Sequence, residues 1–152
     1  MPFADTDRAV EERVGCSVAE LFDREGESRF RELESETLTA LLGVGLGVIA
    51  TGGGIVLSAA NREWLRREAT VVYLQTSPEL LAGRLRHDTR RPLLRGGDVS
   101  ERLRRLQDER GPFYVEVATH VVEAEGSTMS CLVDRIRDVL APVTPAAPLS
   151  PT

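Results

Sequence analysis

Short apolar segments alternate with helical patterns along this chain, and the alternation predicts an α/β fold built on a parallel sheet. The clearest strand is residues 70–74, which are apolar on both faces, as in strands buried in parallel sheets. Shorter strands are predicted before Asp5, at residues 48–50 and at residues 119–122. Because ligands collect at the carboxyl ends of such strands, the residues that follow them are the first candidates for a site.

The helical patterns between these strands have recognisable ends. Ser17 and Glu20 have the spacing of a capping box, and Gly26 is expected to break the helix that follows. Further helices are predicted for residues 8–14, 27–42, 58–67, 78–87, 99–117 and 128–140. The pattern therefore predicts one domain over residues 1–140, followed by a proline-rich, disordered tail at residues 141–152.

The charge balance narrows the possible partners. The 152 residues carry 19 basic side chains, all of them arginine, and 24 acidic ones. An acidic balance argues against a nucleic-acid binder. No apolar run approaches the ~20 residues that a membrane span needs, and the N-terminus lacks a signal-peptide pattern. With two widely spaced cysteines, which we expect to be reduced, these features predict a cytoplasmic protein.

The absence of lysine also excludes chemistry. Without lysine the chain holds no Schiff-base catalyst and no phosphate-binding loop that ends in Gly-Lys-Ser/Thr. Nine of the arginines fall between residues 84 and 110, against five acids in the same segment. This basic block predicts a small anionic ligand, and a solvated helix face is the alternative.

Two motifs follow predicted strands. Asp5 and Asp7 would share one face of an extended segment, where they could serve a cation or a hydroxyl group; a polar turn or a helix cap is the alternative. The triplet Gly52-Gly53-Gly54 would let a bulky ligand approach the backbone without obstruction by Cβ atoms, unless it is only a sharp turn.

Three arginines are candidate site residues. Arg31 shares a helix with Arg29, and their spacing turns them to different faces, so one could turn inward while the other pairs at the surface; a surface salt bridge is the default for either. Arg91 precedes a proline, which favours an extended lid that closes on phosphate. Arg110 precedes Gly111-Pro112, where the long helix is expected to be interrupted, and could form a fork for a carboxylate. For Arg110, favourable placement near a helix C-terminus is the alternative.

Six motifs in order and in approximate spacing resemble the shikimate kinase family over residues 2–140. They are Phe3-x-Asp5-x-Asp7, Gly26-Glu27-x-x-Phe30-Arg31-x-x-Glu34, Ala50-Thr51-Gly52-Gly53-Gly54, Val72-Tyr73-Leu74, Arg91-Pro92-Leu93-Leu94 and Arg110-x-Pro112-x-Tyr114. The resemblance implies a P-loop nucleoside-monophosphate-kinase-like parallel sheet flanked by helices. It also implies a monomer that transfers the γ-phosphoryl group of ATP to the 3-hydroxyl of shikimate, in chorismate and aromatic amino-acid biosynthesis.

The same resemblance implies a role for each candidate residue. Asp7 would orient the 3-hydroxyl or accept its proton, and Asp5 would help to hold Mg²⁺ through water. Arg31 and Arg110 would clamp the shikimate carboxylate, while Gly53 would contact the ring. On the nucleotide side, Arg91 would close over the ATP phosphates, and Arg84 and the loop at Ser127 would flank the adenine.

The sequence departs from the family at one place. Shikimate kinases have a strand, a Walker A loop and a helix before the Asp-x-Asp segment, whereas this chain starts almost at Asp5. We therefore expect a truncated fold without that first strand, phosphate loop and helix, most simply because of a start codon assigned too late. Its flanking strands would lack ladder partners, and the chain alone would be inactive. A shikimate-binding pseudokinase, a fragment completed by a partner chain, and a related kinase such as gluconate kinase are the alternatives.

Overall fold

The structure, a computed structural model, describes residues 2–45, 47–85 and 98–141, and for Arg84 and Leu85 the backbone alone. Strands and helices alternate within these ranges, as the sequence predicts. The strands are β1 (Phe3–Asp5), β2 (Val48–Ala50), β3 (Val72–Gln75) and β4 (His120–Glu123). The helices are α1 (Thr6–Val14), α2 (Val18–Val44), α3 (Ala59–Glu68), α4 (Pro78–Leu85), α5 (Val99–Val117) and α6 (Met129–Leu140).

Local capping explains where the first helices begin and end. α1 ends at Gly15, whose φ of 73° is in the left-handed region that glycine tolerates. α2 begins with the predicted capping box: the Glu20 amide donates to Ser17 Oγ at 3.2 Å, and the Ser17 amide donates to Glu20 Oε2 at 2.8 Å. Gly26 breaks the helical geometry with φ 83° and ψ 172°, so the predicted break is present as a kink inside α2.

The strands form two parallel pairs. β1 pairs with β2, with Asp5 opposite Ala50, and β3 pairs with β4, with Val72 opposite His120. The predicted parallel arrangement is confirmed, but among the described residues β2 and β3 each have one hydrogen-bonded neighbour. β3 is less buried than its apolar sequence predicts, because Leu74 is 44% exposed.

Two apolar clusters hold the helices against these strands. The first joins α1 to the N-terminal half of α2 through Val10, Leu21, Phe30 and Leu33. The second joins α2, a 3₁₀ turn at Ile55–Leu57, α3 and α5 through Leu38, Ile55, Val56, Leu65 and Val117. The middle of α2 and the middle of α5 therefore both lie close to the segment that follows β2.

The predicted interruption of α5 is wrong. Pro112 lies inside this helix, which continues to Val117. A proline in a helix removes one amide hydrogen bond, here to the carbonyl of Asp108. Burial of Val117 in the second cluster compensates for that loss, since helix stability in proteins comes mainly from packing. Arg110 is therefore a mid-helix residue, and the alternative that placed it near a helix C-terminus is wrong as well.

Some predictions fall outside the described residues, namely the Arg91 lid and the tail at residues 142–152. Within the described ranges, every helix is too short or too polar to cross a membrane.

Candidate functional site

The site lies at the carboxyl ends of β1 and β2. The parallel register brings the segment after Asp5 beside the segment after Ala50, as the strand prediction requires. Thr6 is completely buried there, and its hydroxyl accepts the Gly52 amide at 3.4 Å. This contact ties the start of α1 to the glycine triplet, residues 52–54, which we call the glycine loop.

Asp5 and Asp7 do not share the face of an extended segment, so that expectation is wrong. Asp5 caps α1, and its Oδ1 accepts the amides of Asp7 at 2.9 Å and of Arg8 at 3.2 Å. The cap turns the chain into a helix at Thr6, so the helix-cap alternative is correct. The Asp7 carboxylate lies instead against the glycine loop, with Oδ1 3.2 Å from the position that a Cβ at Gly52 would occupy.

Arg31 is held by two glutamates rather than by one surface pair. Its Nη1 donates to Glu34 Oε2 at 2.7 Å, and its Nη2 donates to Glu27 Oε1 at 3.0 Å. Glu34 is only 1% exposed, and its Oε1 has no hydrogen-bond partner among the described residues. Burial raises the pKa of Glu34, and the charge of Asp7 acts in the same direction, while Arg31 and Arg110 oppose the shift.

Space, and not backbone conformation, requires glycine in the glycine loop. None of its three residues has a positive φ. A Cβ at Gly52 would lie 3.1 Å from Glu34 Oε1, so a side chain there would push into the two facing carboxylates. The interpretation of the triplet as only a sharp turn is therefore insufficient.

The other two glycines contact side chains from the helices. A Cβ at Gly53 would lie 2.8 Å from the Tyr114 hydroxyl, and a Cβ at Gly54 would overlap the guanidinium group of Arg31. The Tyr114 hydroxyl donates to the Gly53 carbonyl at 2.8 Å. Because these glycines have no Cβ atoms, charged and polar side chains of the protein itself pack directly on the loop backbone.

Arg110 supplies a second cation, and this one is buried. It is 7% exposed, and its Nε has no hydrogen-bond partner among the described residues. Its charge acts on both Glu34 and Tyr114, so it lies beside the Arg31–Glu34 pair. Buried polar groups are nearly always hydrogen-bonded, so an unsatisfied guanidinium donor in a polar site indicates a place for an anionic ligand.

The structure brings the side chains of Asp7, Arg31 and Arg110 together around the glycine loop, which contains Gly53. Ser127 follows β4 elsewhere in the fold, and its hydroxyl donates to the Glu125 carbonyl at 3.4 Å. The Arg84 side chain and Arg91 lie outside what the structure describes.

Sequence reasoning assigned no role to two residues of the cluster. Glu34 could have been found from its position, because it falls on the buried stripe of α2 between Phe30 and Leu38, where an acidic residue needs a partner. Tyr114 follows Arg110 by four residues, and this spacing places both on one face of α5.

A divalent cation would have few protein ligands here. Among the described residues, no three His, Cys, Asp or Glu side chains converge on a common point. Mg²⁺ commonly keeps several waters and uses one or two carboxylates together with substrate phosphates. Asp5 suits that use, because capping occupies its Oδ1 and leaves its second oxygen for a magnesium-bound water.

Comparison with known proteins points to one family. The family model for shikimate kinase matches residues 1–141. The shikimate kinase of Paracidovorax citrulli is 44% identical, and the match covers 97% of this chain and 84% of that protein. The shikimate kinase of Halorhodospira halophila is also 44% identical, over 92% of this chain and 79% of that protein.

Solved structures agree with the sequence relatives. A shikimate kinase from Acinetobacter baumannii, solved in complex with shikimate, superposes with a TM-score of 0.85 at 35% identity. That match covers 91% of this chain and 78% of the other. A shikimate kinase from Bacteroides thetaiotaomicron superposes with a TM-score of 0.82 at 33% identity, over 92% of this chain and 84% of the other.

Proposed function

The chain belongs to the shikimate kinase family, and from this premise we propose how its residues serve the phosphorylation of shikimate. In the proposed reaction, the 3-hydroxyl of shikimate receives the γ-phosphoryl group of ATP. The observation that carries the substrate assignment is the buried Arg110, whose Nε lacks a partner beside the Arg31–Glu34 pair. A carboxylate bound there would satisfy the orphaned donor and balance the buried charge.

Arg31 and Arg110 hold the shikimate carboxylate in this proposal. The planar guanidinium group presents paired N–H donors that match the two oxygens of a carboxylate. Arg31 is already oriented by Glu34 and Glu27, so little side-chain freedom is lost when the ligand binds. Gly53 contacts the ring from the glycine loop.

Asp7 accepts the hydrogen bond of the 3-hydroxyl. Phosphoryl transfer depends mainly on positioning and on stabilisation of spread-out charge, so an oriented hydroxyl is the main requirement on the acceptor side. Asp7 starts α1 next to the glycine loop, and both Thr6 and the Asp5 cap fix that helix end. Mg²⁺, when bound through Asp5 and water, would neutralise charge on the phosphates.

The nucleotide side of the proposal consists of Arg91, Arg84 and Ser127. Arg91 is proposed to close over the ATP phosphates, and Arg84 and Ser127 to flank the adenine. None of the 152 residues is lysine, so the β- and γ-phosphates lack the cation that a phosphate loop normally provides. We therefore propose that these residues alone bind shikimate without turning it over. A shikimate-binding pseudokinase, or a fragment completed by a partner chain, would behave in the same way.

The setting of the reaction is proposed from the remaining features. Cys16 and Cys131 are both free thiols in the structure, which fits a reducing compartment and supports a cytoplasmic location. We further propose that the protein acts as a monomer.

Binding of shikimate to the Arg110→Ala variant tests the carboxylate clamp. Loss of a hydrogen bond to a charged group costs about 1.5–3 kcal/mol, so Kd measured by calorimetry should rise roughly ten- to hundredfold. Arg105→Ala is the matched control on the same helix, since Arg105 makes an exposed pair with Glu101 at 2.6 Å and should leave Kd unchanged. An unchanged Kd for Arg110→Ala, or binding of gluconate in place of shikimate, would contradict the proposal.

A further inference from the structure

Tyr114 connects α5 to the glycine loop through a single hydrogen bond. Its hydroxyl donates to the Gly53 carbonyl at 2.8 Å, and the two residues are 61 positions apart in the chain. The same hydroxyl fills the space that a Cβ at Gly53 would need. Tyr114 therefore fixes both the direction of this carbonyl and the distance between α5 and the loop.

The Tyr114 ring is supported from β3. It stacks on the ring of Tyr73, with centroids 5.1 Å apart and an interplanar angle of 28°. Tyr73 lies in β3, whereas the glycine loop follows β2, and no ladder joins these two strands in the described part of the chain. The stacked rings thus link the second strand pair to the loop that follows the first.

Other residues of the site pack on the backbone of the loop that Tyr114 contacts. Gly52 lies against Asp7 and Glu34, and Gly54 lies against the Arg31 guanidinium. Tyr114 and Arg110 occupy one face of α5 at a spacing of four residues. A shift of the Gly53 carbonyl would therefore change the position of the loop relative to both candidate arginines.

We infer that Tyr114 is a positioning residue for shikimate, acting through Gly53 to hold the glycine loop at the distance from Arg31 and Arg110 that the substrate requires. The inference rests on the proposed function, because it takes shikimate as the occupant of this site. Tyr114 does not need to touch the substrate, since its hydroxyl acts through the Gly53 carbonyl and also interacts with the Arg110 side chain.

The Tyr114→Phe variant of the full chain removes the hydroxyl and keeps the stacked ring. Loss of one hydrogen bond should raise the shikimate Kd about three- to tenfold. The amide of Ile55, which donates to the Gly52 carbonyl at 3.2 Å, should exchange its hydrogen faster without any ligand present. Tyr73→Phe is the control: it loses the hydrogen bond from Gln107 but keeps the ring, so both measurements should stay at the wild-type values.

A double variant tests whether the Tyr114 hydroxyl and Gly53 are in direct contact. Gly53→Ala places a methyl group against the Tyr114 hydroxyl, whereas the next tyrosine atom, Cζ, is 3.8 Å away. Adding Tyr114→Phe to Gly53→Ala should therefore restore part of the lost affinity and part of the lost resistance to urea. If the two residues are not in contact, the two losses should add instead.

The outcomes distinguish this inference from the proposed function. If the wild-type chain binds shikimate and Tyr114→Phe binds it equally well, Tyr114 does not position the site and the inference is overturned. If the two losses add instead of offsetting each other, the Tyr114–Gly53 contact is overturned too. If the wild-type chain does not bind shikimate at all, the substrate assignment fails first, and hydrogen exchange and urea unfolding still decide the contact.

Discussion

At the scale of single residues, the buried carboxylate of Glu34 largely determines the electrostatics of the site. Glu34 faces Asp7 across Gly52 and neutralises Arg31 at 2.7 Å. A carboxylate that is 1% exposed persists in a fold only where a partner compensates for its lost hydration, and here the partner is a candidate substrate ligand. Glu34 therefore couples the stability of α2 to the orientation of Arg31.

This coupling predicts a pH dependence. Burial raises the pKa of Glu34 above its ordinary value of 4.5, so the folded state holds this proton to higher pH than the unfolded state does. The contribution of Glu34 to stability is therefore greatest below that value and declines as the pH rises through the raised pKa. The unfolding midpoint of the wild type relative to Glu34→Gln should fall as the pH rises from 4.5 through the raised pKa of Glu34.

Thermal unfolding of both proteins across that pH range gives the measurement. Glu27→Gln is a suitable control, because Glu27 pairs with the same arginine at 3.0 Å but is exposed. An advantage of the wild type over Glu34→Gln that grows with pH would show that Glu34 is charged and fully compensated in the folded state.

At the scale of elements, α5 is where the sequence pattern and the structure disagree most. Pro112 should end a helix, yet α5 carries Arg110 and Tyr114 through it to Val117. The helix continues because its far end packs on the same cluster as Ile55 and Val56 of the 3₁₀ turn that follows the glycine loop. α5 thus keeps Pro112, a residue that disfavours a helix interior, in a position next to the site.

The effect of Pro112 on the free energy of unfolding can be measured with the Pro112→Ala variant. Alanine restores the amide that can bond to Asp108, and the gain is reduced by the greater freedom of the unfolded chain, so stability should rise by about 2 kcal/mol. Urea unfolding measures the change. Pro78→Ala is the control, because Pro78 is the first residue of α4, where no helical amide bond is lost, and it should be close to neutral. A destabilised Pro112→Ala would mean that the proline shapes α5 in its native position.

At the scale of the whole molecule, packing by the helices joins two strand pairs that share no ladder in the described residues. Val48 on β2 and Leu74 on β3 remain 48% and 44% exposed. The four candidate residues for shikimate, Asp7, Arg31, Gly53 and Arg110, nevertheless come from four different segments and lie close to one another.

The candidate residues for shikimate lie together, whereas the chain has no lysine for the ATP phosphates. These two features predict that the chain binds shikimate without phosphorylating it. In a coupled assay with ATP, Mg²⁺ and shikimate, the purified 152 residues should release no ADP above background, while calorimetry detects shikimate. The A. baumannii enzyme measured in parallel serves as the positive control. Turnover at an ordinary kinase rate of about 1–100 s⁻¹ would show that arginine can provide the phosphate site in this chain.

The sequence by itself determined the features that depend on neighbouring residues. The caps at Asp5 and Ser17, the breaks at Gly15 and Gly26 and the order of strands and helices all follow from local hydrogen bonds and side-chain periodicity. The ordered motifs were specific enough to indicate the family, and the comparisons confirm it.

Only the tertiary structure decided which groups meet. The burial of Glu34 and Arg110, the contact of Tyr114 with Gly53 and the passage of α5 through Pro112 depend on packing between segments far apart in the chain. A local pattern cannot report them, because the elements that bury these groups lie far apart in the chain. The glycine triplet shows the difference most clearly: the sequence indicated that space was needed there, and the fold decided that the protein's own side chains use it.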